Sequence, residues 1–239
     1  MRWRMLALVT AVVAVALLAV AGPGTRLGLW NFRTGLSMLR WVAYAGIAGM
    51  VLAVVALAVA LSRRERTIAP LIALVLAATA LLVPWSFARR ARHVPPIHDI
   101  TTDPHDPPAF VAVLPLRERA HAPNSATYGG DSVAAKQRAA YPDIRPLHLA
   151  VPPAGAYERA MVAARGMGWD IVAADAAAGR IEATATTRWF GFKDDVVVRV
   201  RPESGGSRVD VRSESRVGGS DVGTNAARVR AYLARLAAA

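Results

Sequence analysis

Three uncharged apolar runs, at residues 5–21, 41–61 and 68–87, constrain this chain more than any other feature. Each is close to the length of about 20 helical residues that crosses a bilayer core. Residues 1–92 are thereby committed to lipid-compatible helices, and residues 93–239 are left to build the globular part. The charge map divides at the same place. Residues 1–92 hold 11 Arg against the single acid Glu65, whereas residues 93–239 hold 18 Lys+Arg against 16 Asp+Glu. The net +12 thus belongs mainly to the flanks of the apolar runs. Nucleic-acid binding requires a basic face on the folded domain, and a near balance of charge does not supply one. The absence of cysteine excludes disulfides, thiolate metal sites and a cysteine nucleophile.

The first run follows the basic start MRWR and ends in Ala19-Val20-Ala21, so it reads either as a first span or as a cleaved signal segment. Both readings place residues 88–239 outside the cytoplasm, in an integral membrane protein. Arginine counting is silent on orientation. Arg2, Arg4, Arg63, Arg64 and Arg66 would lie inside, against Arg26, Arg33, Arg40, Arg89, Arg90 and Arg92 outside. The basic start and the short SRRER turn favour this orientation, with Trp30, Trp41 and Trp85 at the outer interface and Trp3 at the inner one. Ala45, Gly49 and Ala53 recur every four positions and are expected to let another helix of the bundle approach closely. No ionisable residue falls within a run, so transport has no visible machinery.

Residues 93–140 read as an extended, proline-rich segment and connector, with residues 89–96 as a basic linker. Within IHDITTDPHDPPAF, His98, Asp103 and His105 are the weak metal candidates. The prolines deny them a shared helical face, and a structural clamp is the expectation, with Asp99, Asp103 and Asp106 accepting local backbone N–H groups. Residues 111–116 are expected to dock as an extended strand. Residues 121–140 are a polar connector without a clear period.

Residues 141–239 have the patterning of a folded domain. A short strand at 146–151 precedes a helix opened by Pro152-Pro153, and a strand at 169–174 follows. Three strictly alternating strands come next, around 181–186, 196–201 and 208–212, each expected to have one buried and one wet face. A last helix is expected over 221–237, with Val222, Ala226, Val229, Leu233 and Leu236 as its apolar stripe. The order strand, helix, four strands, helix is an α+β two-layer sandwich, an antiparallel sheet with two helices, after an N-terminal three-helix transmembrane region.

GRIEATATTRWFGFKDDVVVRVRP, SRVDVRSESRVGGSDVGTNAARVRAYL, PIHDITTDPHDPPAF and AYPDIRPL together resemble the uncharacterised family catalogued as domain of unknown function 1499, over about residues 96–236. The resemblance implies a secreted, lipid-anchored or membrane-tethered envelope protein. It carries no assigned activity or catalytic residue.

The sharpest constellation is Arg216, Asp221, Asn225 and Arg228. Residues 221, 225 and 228 fall on one helical face, and Arg216 enters from the preceding loop. Two readings stand: a cap plus polar anchor, with Asp221 bonding the helix start, or an anion site at the helix N-terminus assisted by Arg216. Lys193, Asp194 and Asp195 of FKDD read as an exposed turn. There is no GxSxG motif, and Ser213, Ser215 and Ser220 lack an evident histidine, since every His precedes residue 149. These residues predict a membrane-tethered, non-catalytic envelope module with no cofactor. Its partners are the bilayer and an envelope protein or lipid, and its oligomeric state is not legible. A lipid- or anionic-metabolite-binding domain is the alternative, and a hydrolase ranks third.

Overall fold

Alanine faces bring the N-terminal helices together in the computed structural model, which describes residues 2–238. These helices are α1 (Arg2–Arg26), α2 (Phe32–Ser62) and α3 (Ile68–His93), all long and apolar enough to cross a membrane. Ala7 and Ala11 of α1, Ala53 and Ala56 of α2, and Ala73 and Ala77 of α3 share one buried cluster. Gly49 is buried in the same seam: a Cβ there would lie 3.3 Å from the Ala77 methyl. The Ala45–Gly49–Ala53 repeat therefore contributes to close approach within the bundle. Large apolar side chains such as Val51, Val54 and Val75 point outward. The helices outrun the apolar runs. α2 starts at Phe32, capped by the Asn31 side chain accepting from the Thr34 N–H at 3.0 Å. α3 continues to His93, so most of the expected basic linker is helical.

Two compact units divide the chain. One holds the residues up to Arg90 with Arg188–Gly191, and the other holds Ala91–Thr187 with the chain from Phe192 onward. The second unit thus takes in the proline-rich segment together with the α+β domain. Its further elements are β1 (Asp99–Thr101), α4 (Leu114–Arg119), α5 (Gly130–Ala140), β2 (Leu147–Leu149), α6 (Pro153–Gly166), β3 (Asp170–Asp175), β4 (Arg180–Thr186), β5 (Lys193–Glu203), β6 (Gly206–Ser215) and α7 (Thr224–Ala237). The sheet runs β1-β6-β5-β4-β3, with β2 also paired to β6, and every pairing is antiparallel. Successive hairpins join β3 to β6. At the β3–β4 turn Gly179 takes φ +61°, and an added Cβ would meet the Val200 carbonyl oxygen at 2.2 Å. No side chain fits there without moving β5.

One face of this sheet is apolar. Ile181, Ala183, Ala185, Val196, Val198, Val200, Val209 and Val211 are buried against α6 and α7. α6 presents Ala156, Ala160 and Met161, and α7 presents Ala226, Val229 and Leu236, at helical spacing. Tyr232 is fully buried, stacks on Trp169 with ring centroids 5.0 Å apart, and donates its hydroxyl to the Ala160 carbonyl at 3.0 Å. That bond satisfies its one polar group.

Three local expectations are overturned. Residues 111–116 do not form a strand: helix α4 begins at Leu114, with Pro115 in its first turn, where a missing N–H costs nothing. The connector contains α5, whose AAKQRAA sequence favours helix, and whose Gln137 is buried while exchanging bonds with the Thr101 N–H (3.0 Å) and C=O (2.6 Å). The second face of the sheet is not wet. Glu182, Asp195, Asp210, Arg212 and Glu214 are buried there under residues 102–128.

Candidate functional site

That second face is a checkerboard of charge. Arg208, Asp210, Arg212 and Glu214 alternate along β6 and therefore share one side, and Arg216 follows with the same period. Strand register sets their neighbours. Asp99 of β1, Glu214 and Asp195 of β5 stand side by side in one row. Like charges directly opposite one another are destabilising, so this row requires cations. Arg212 grips both Asp99 oxygens at 2.9 and 2.8 Å. Arg117 reaches down from α4 to Asp195 at 2.8 Å and to Glu214 at 3.1 Å. Arg216 holds Asp195 at 2.9 and 2.7 Å. Further along, Asp210 accepts from Arg199, Arg201 and Arg208 at 3.0–3.1 Å.

The covering segment is bound to this face by the same groups. The Glu182 carboxylate, with no exposed surface, accepts the Val111 and Val113 N–H groups at 3.0 and 3.1 Å. Arg208 holds Asp103 at 2.6 Å, and Asp103's other oxygen accepts the His105 and Asp106 N–H groups in a local turn. Asp99 and Asp106, expected to accept local N–H bonds, pair instead with Arg212 and Arg201. Arg201 holds the exposed Asp106 carboxyl below its ordinary pKa. Burial, aided by the neighbouring Asp99 and opposed by Arg117 and Arg212, pushes Glu214 up to about 8. Burial likewise raises Asp99, against the pull of Arg212.

Between the two arms of the covering segment lies an open cleft of about 570 Å³. Pro104, Pro107, Phe110 and Leu114 line one wall, Ala126 and Tyr128 the other, and Arg212 the floor. The Arg212 guanidinium lies 4.7 Å from the Phe110 ring centre and 5.6 Å from that of Tyr128. It also donates to the Ala126 and Pro108 carbonyls at 2.8 and 3.3 Å. The Tyr128 hydroxyl is buried with no hydrogen-bond partner among the described residues, and burial raises its pKa to about 12. A satisfied guanidinium and a neutral phenol suit binding better than proton transfer.

The residues grouped in sequence are only partly brought together. Asn225, fully buried, accepts from Ser213 Oγ at 2.7 Å and donates to the His98 carbonyl at 2.8 Å and Ser215 Oγ at 2.9 Å. Arg228 reaches Asp194 at 2.5 Å, Ser213 Oγ at 3.0 Å and the Asn225 side chain. Asp221 accepts the Gly223 and Asn225 N–H groups at 2.9 and 2.6 Å. α7 itself starts at Thr224, because Gly223 ahead of it is left-handed at φ +79°. Arg216 is elsewhere. Alternation sends Asp194 and Asp195 to opposite faces of the sheet, and Arg216 follows Asp195 while Arg228 follows Asp194. FKDD is thus no exposed turn, since both aspartates are buried. Among the described residues no group of three His, Asp or Glu side chains is placed to hold a metal. His105 sits at the cleft rim, while Asp103 is paired with Arg208.

Sequence reasoning missed Arg117, Glu182, Asp210, Arg212 and Glu214, and gave Asp99 only a local role in place of its pairing with Arg212. The sign alternation in SRVDVRSESR was the available signal: plus and minus charges every second residue on one strand face.

Fold and charged face together define a class: an α+β domain with a salt-bridged outer sheet face sealed by its own N-terminal segment, following three apolar helices. The family described as "Protein of unknown function (DUF1499)" matches residues 99–236, and the chain belongs to it. Its match begins at β1, so the covering segment lies within it. No curated protein and no solved structure matches the chain.

Proposed function

We propose that this chain is a membrane-tethered protein whose α+β domain stands outside the cytoplasm and acts as a non-catalytic module. The observation that supports a non-catalytic role is the engagement of the polar side chains. Glu182, Asp195, Asp210 and Asn225 are all fully buried and bonded to other groups of the domain. Such groups stabilise a rigid scaffold and are closed to a substrate. The basic start before α1, followed by three successive apolar helices, supports an outer position for the residues after Arg90. A periplasmic-type alkaline phosphatase fused after Ala239 is expected to be active in cells. An inactive fusion, with a cytoplasmic fluorescent reporter lit at the same site, reverses the orientation. A second reading, a small-molecule-binding domain, is favoured by the cleft over Arg212 and the unpartnered Tyr128 hydroxyl.

A further inference from the structure

The cleft over Arg212 has the volume of a small-molecule site, about 570 Å³, where such sites measure about 300–1,000 Å³. Its walls are mainly proline and ring surface, from Pro104, Pro107, Phe110, Leu114 and Tyr128. Surfaces of this kind favour a flat, rigid, apolar body, because rings and prolines offer contact area with little rotamer freedom to lose. A sugar or a peptide backbone would bring several polar groups against them and leave those groups without partners.

Charge narrows the choice. Arg212 is only 2% exposed, and its guanidinium already donates to both Asp99 oxygens and to the Pro108 and Ala126 carbonyls. An anion takes that fork only by displacing Asp99, and the exposed Asp131 carboxylate at the rim opposes its approach. A cation meets the reverse obstacle. The rings that would attract it, Phe110 and Tyr128, already hold the Arg212 guanidinium at 4.7 and 5.6 Å from their centres. The cleft therefore suits an uncharged ligand.

The Tyr128 hydroxyl adds one directional requirement. It is shut from solvent with no hydrogen-bond partner among the described residues, a costly state for a phenol. Burial raises its pKa to about 12, so at neutral pH it is a donor. The residue as a whole is half-buried and sits between α4 and α5, outside any helix or strand. Turning the ring toward the cleft brings the hydroxyl to whatever lies there.

We infer that this cleft binds an uncharged aromatic small molecule bearing a carbonyl-type acceptor, with Phe110 packing on its ring and Tyr128 turning to donate its hydroxyl to that oxygen. The inference rests on the small-molecule-binding reading and adds the class of ligand.

Equilibrium dialysis of the full chain in non-ionic detergent micelles, against the same micelles without protein, provides the test. Four probes share one ring system: acetonaphthone, ethylnaphthalene, naphthoate and naphthylmethylammonium. Acetonaphthone should bind several-fold to about tenfold more tightly than ethylnaphthalene, the gain from one hydrogen bond. Both charged probes should bind more weakly than acetonaphthone. Tyr128→Phe should erase the acetonaphthone advantage and leave ethylnaphthalene where it was, a split that a merely structural role would not produce. Ala109→Trp, at an exposed position lining the cleft, should block all four. Equal binding of acetonaphthone and ethylnaphthalene by the parent overturns the inference, as does an acetonaphthone advantage that survives Tyr128→Phe. A charged probe that binds tightest and is still blocked by Ala109→Trp overturns the ligand class while the small-molecule-binding reading stands. Retention of no probe above the protein-free micelles, or retention indifferent to Ala109→Trp, refutes that reading itself. The ranking of the four probes on the parent decides the ligand class whether or not a variant folds.

Discussion

Replacing Glu214 by glutamine should remove a pH dependence built into the sheet. Glu214 has no exposed surface and is flanked across the strands by Asp99 and Asp195. Its Oε1 accepts from Arg117 at 3.1 Å, while its Oε2 has no hydrogen-bond partner among the described residues, the Arg212 guanidinium being 3.6 Å away. Burial and the two acidic neighbours raise its pKa from 4.5 to about 8. A carboxyl whose folded pKa lies above its unfolded value binds its proton more tightly when folded. Its stabilising contribution is therefore complete below about pH 4.5 and is lost as pH rises through about 8. Within that window stability falls by up to about 1.4 kcal/mol per pH unit, or a few kcal/mol across it. Asp99, also raised, adds a slope of the same sign. Glutamine keeps the size and one acceptor but cannot ionise. Denaturant unfolding of the detergent-solubilised chain, followed by near-UV circular dichroism from about pH 5 to 9, should show parent and Glu214→Gln similar at the acid end. The variant should be more stable by a few kcal/mol at the alkaline end. Parallel stability curves, or a variant weaker at every pH, would refute the assignment of the proton to Glu214.

Removing the cation from the same row should act in the opposite direction. Arg117→Met leaves Asp195 and Glu214 buried with one partner fewer and should cost about 3–5 kcal/mol at neutral pH, read as a lowered denaturation midpoint. The loss should be smaller when Glu214→Gln is already present, and a double-mutant cycle measures that coupling. Asp221→Ala strips acceptors from the Gly223 and Asn225 N–H groups and should lower stability by about 0.5–2 kcal/mol, without the alkaline recovery seen for Glu214→Gln.

The apolar layer of the fold was legible because its signal is local. Period-two runs in β4, β5 and β6 and the 3.6-residue stripe of α7 each announce themselves within about ten residues. The charged layer was not, because its partners are remote: Arg212 meets Asp99 across 113 residues of sequence, and Arg117 meets Glu214 across 97. A polar strand position is ordinarily a wet one, and only a covering segment changes that. That segment is rich in proline and carries no period, so nothing in it declares what it will lie on. Asn225 and Arg228 share α7 and meet, and Asp221, just ahead of the helix, joins them through the Asn225 N–H. Arg216 was grouped with them by adjacency in sequence, yet strand alternation carries it through the sheet to the other side.

β1 is the first strand made and one of the last able to pair. It follows α3 directly, yet its partner β6 is the last strand of the sheet. Closing a loop of that size costs chain entropy before any contact repays it, and folds dominated by such non-local pairings form slowly. During synthesis residues 97–128 must wait, as a polar, proline-stiffened chain, until Glu214 and Arg212 emerge. Their composition suits the wait: Pro104, Pro107, Pro108 and Pro115, together with Asp99, Asp103 and Asp106, oppose premature strand association. The segment that seals the finished sheet is thus also one that resists aggregation while the rest of the domain is being made.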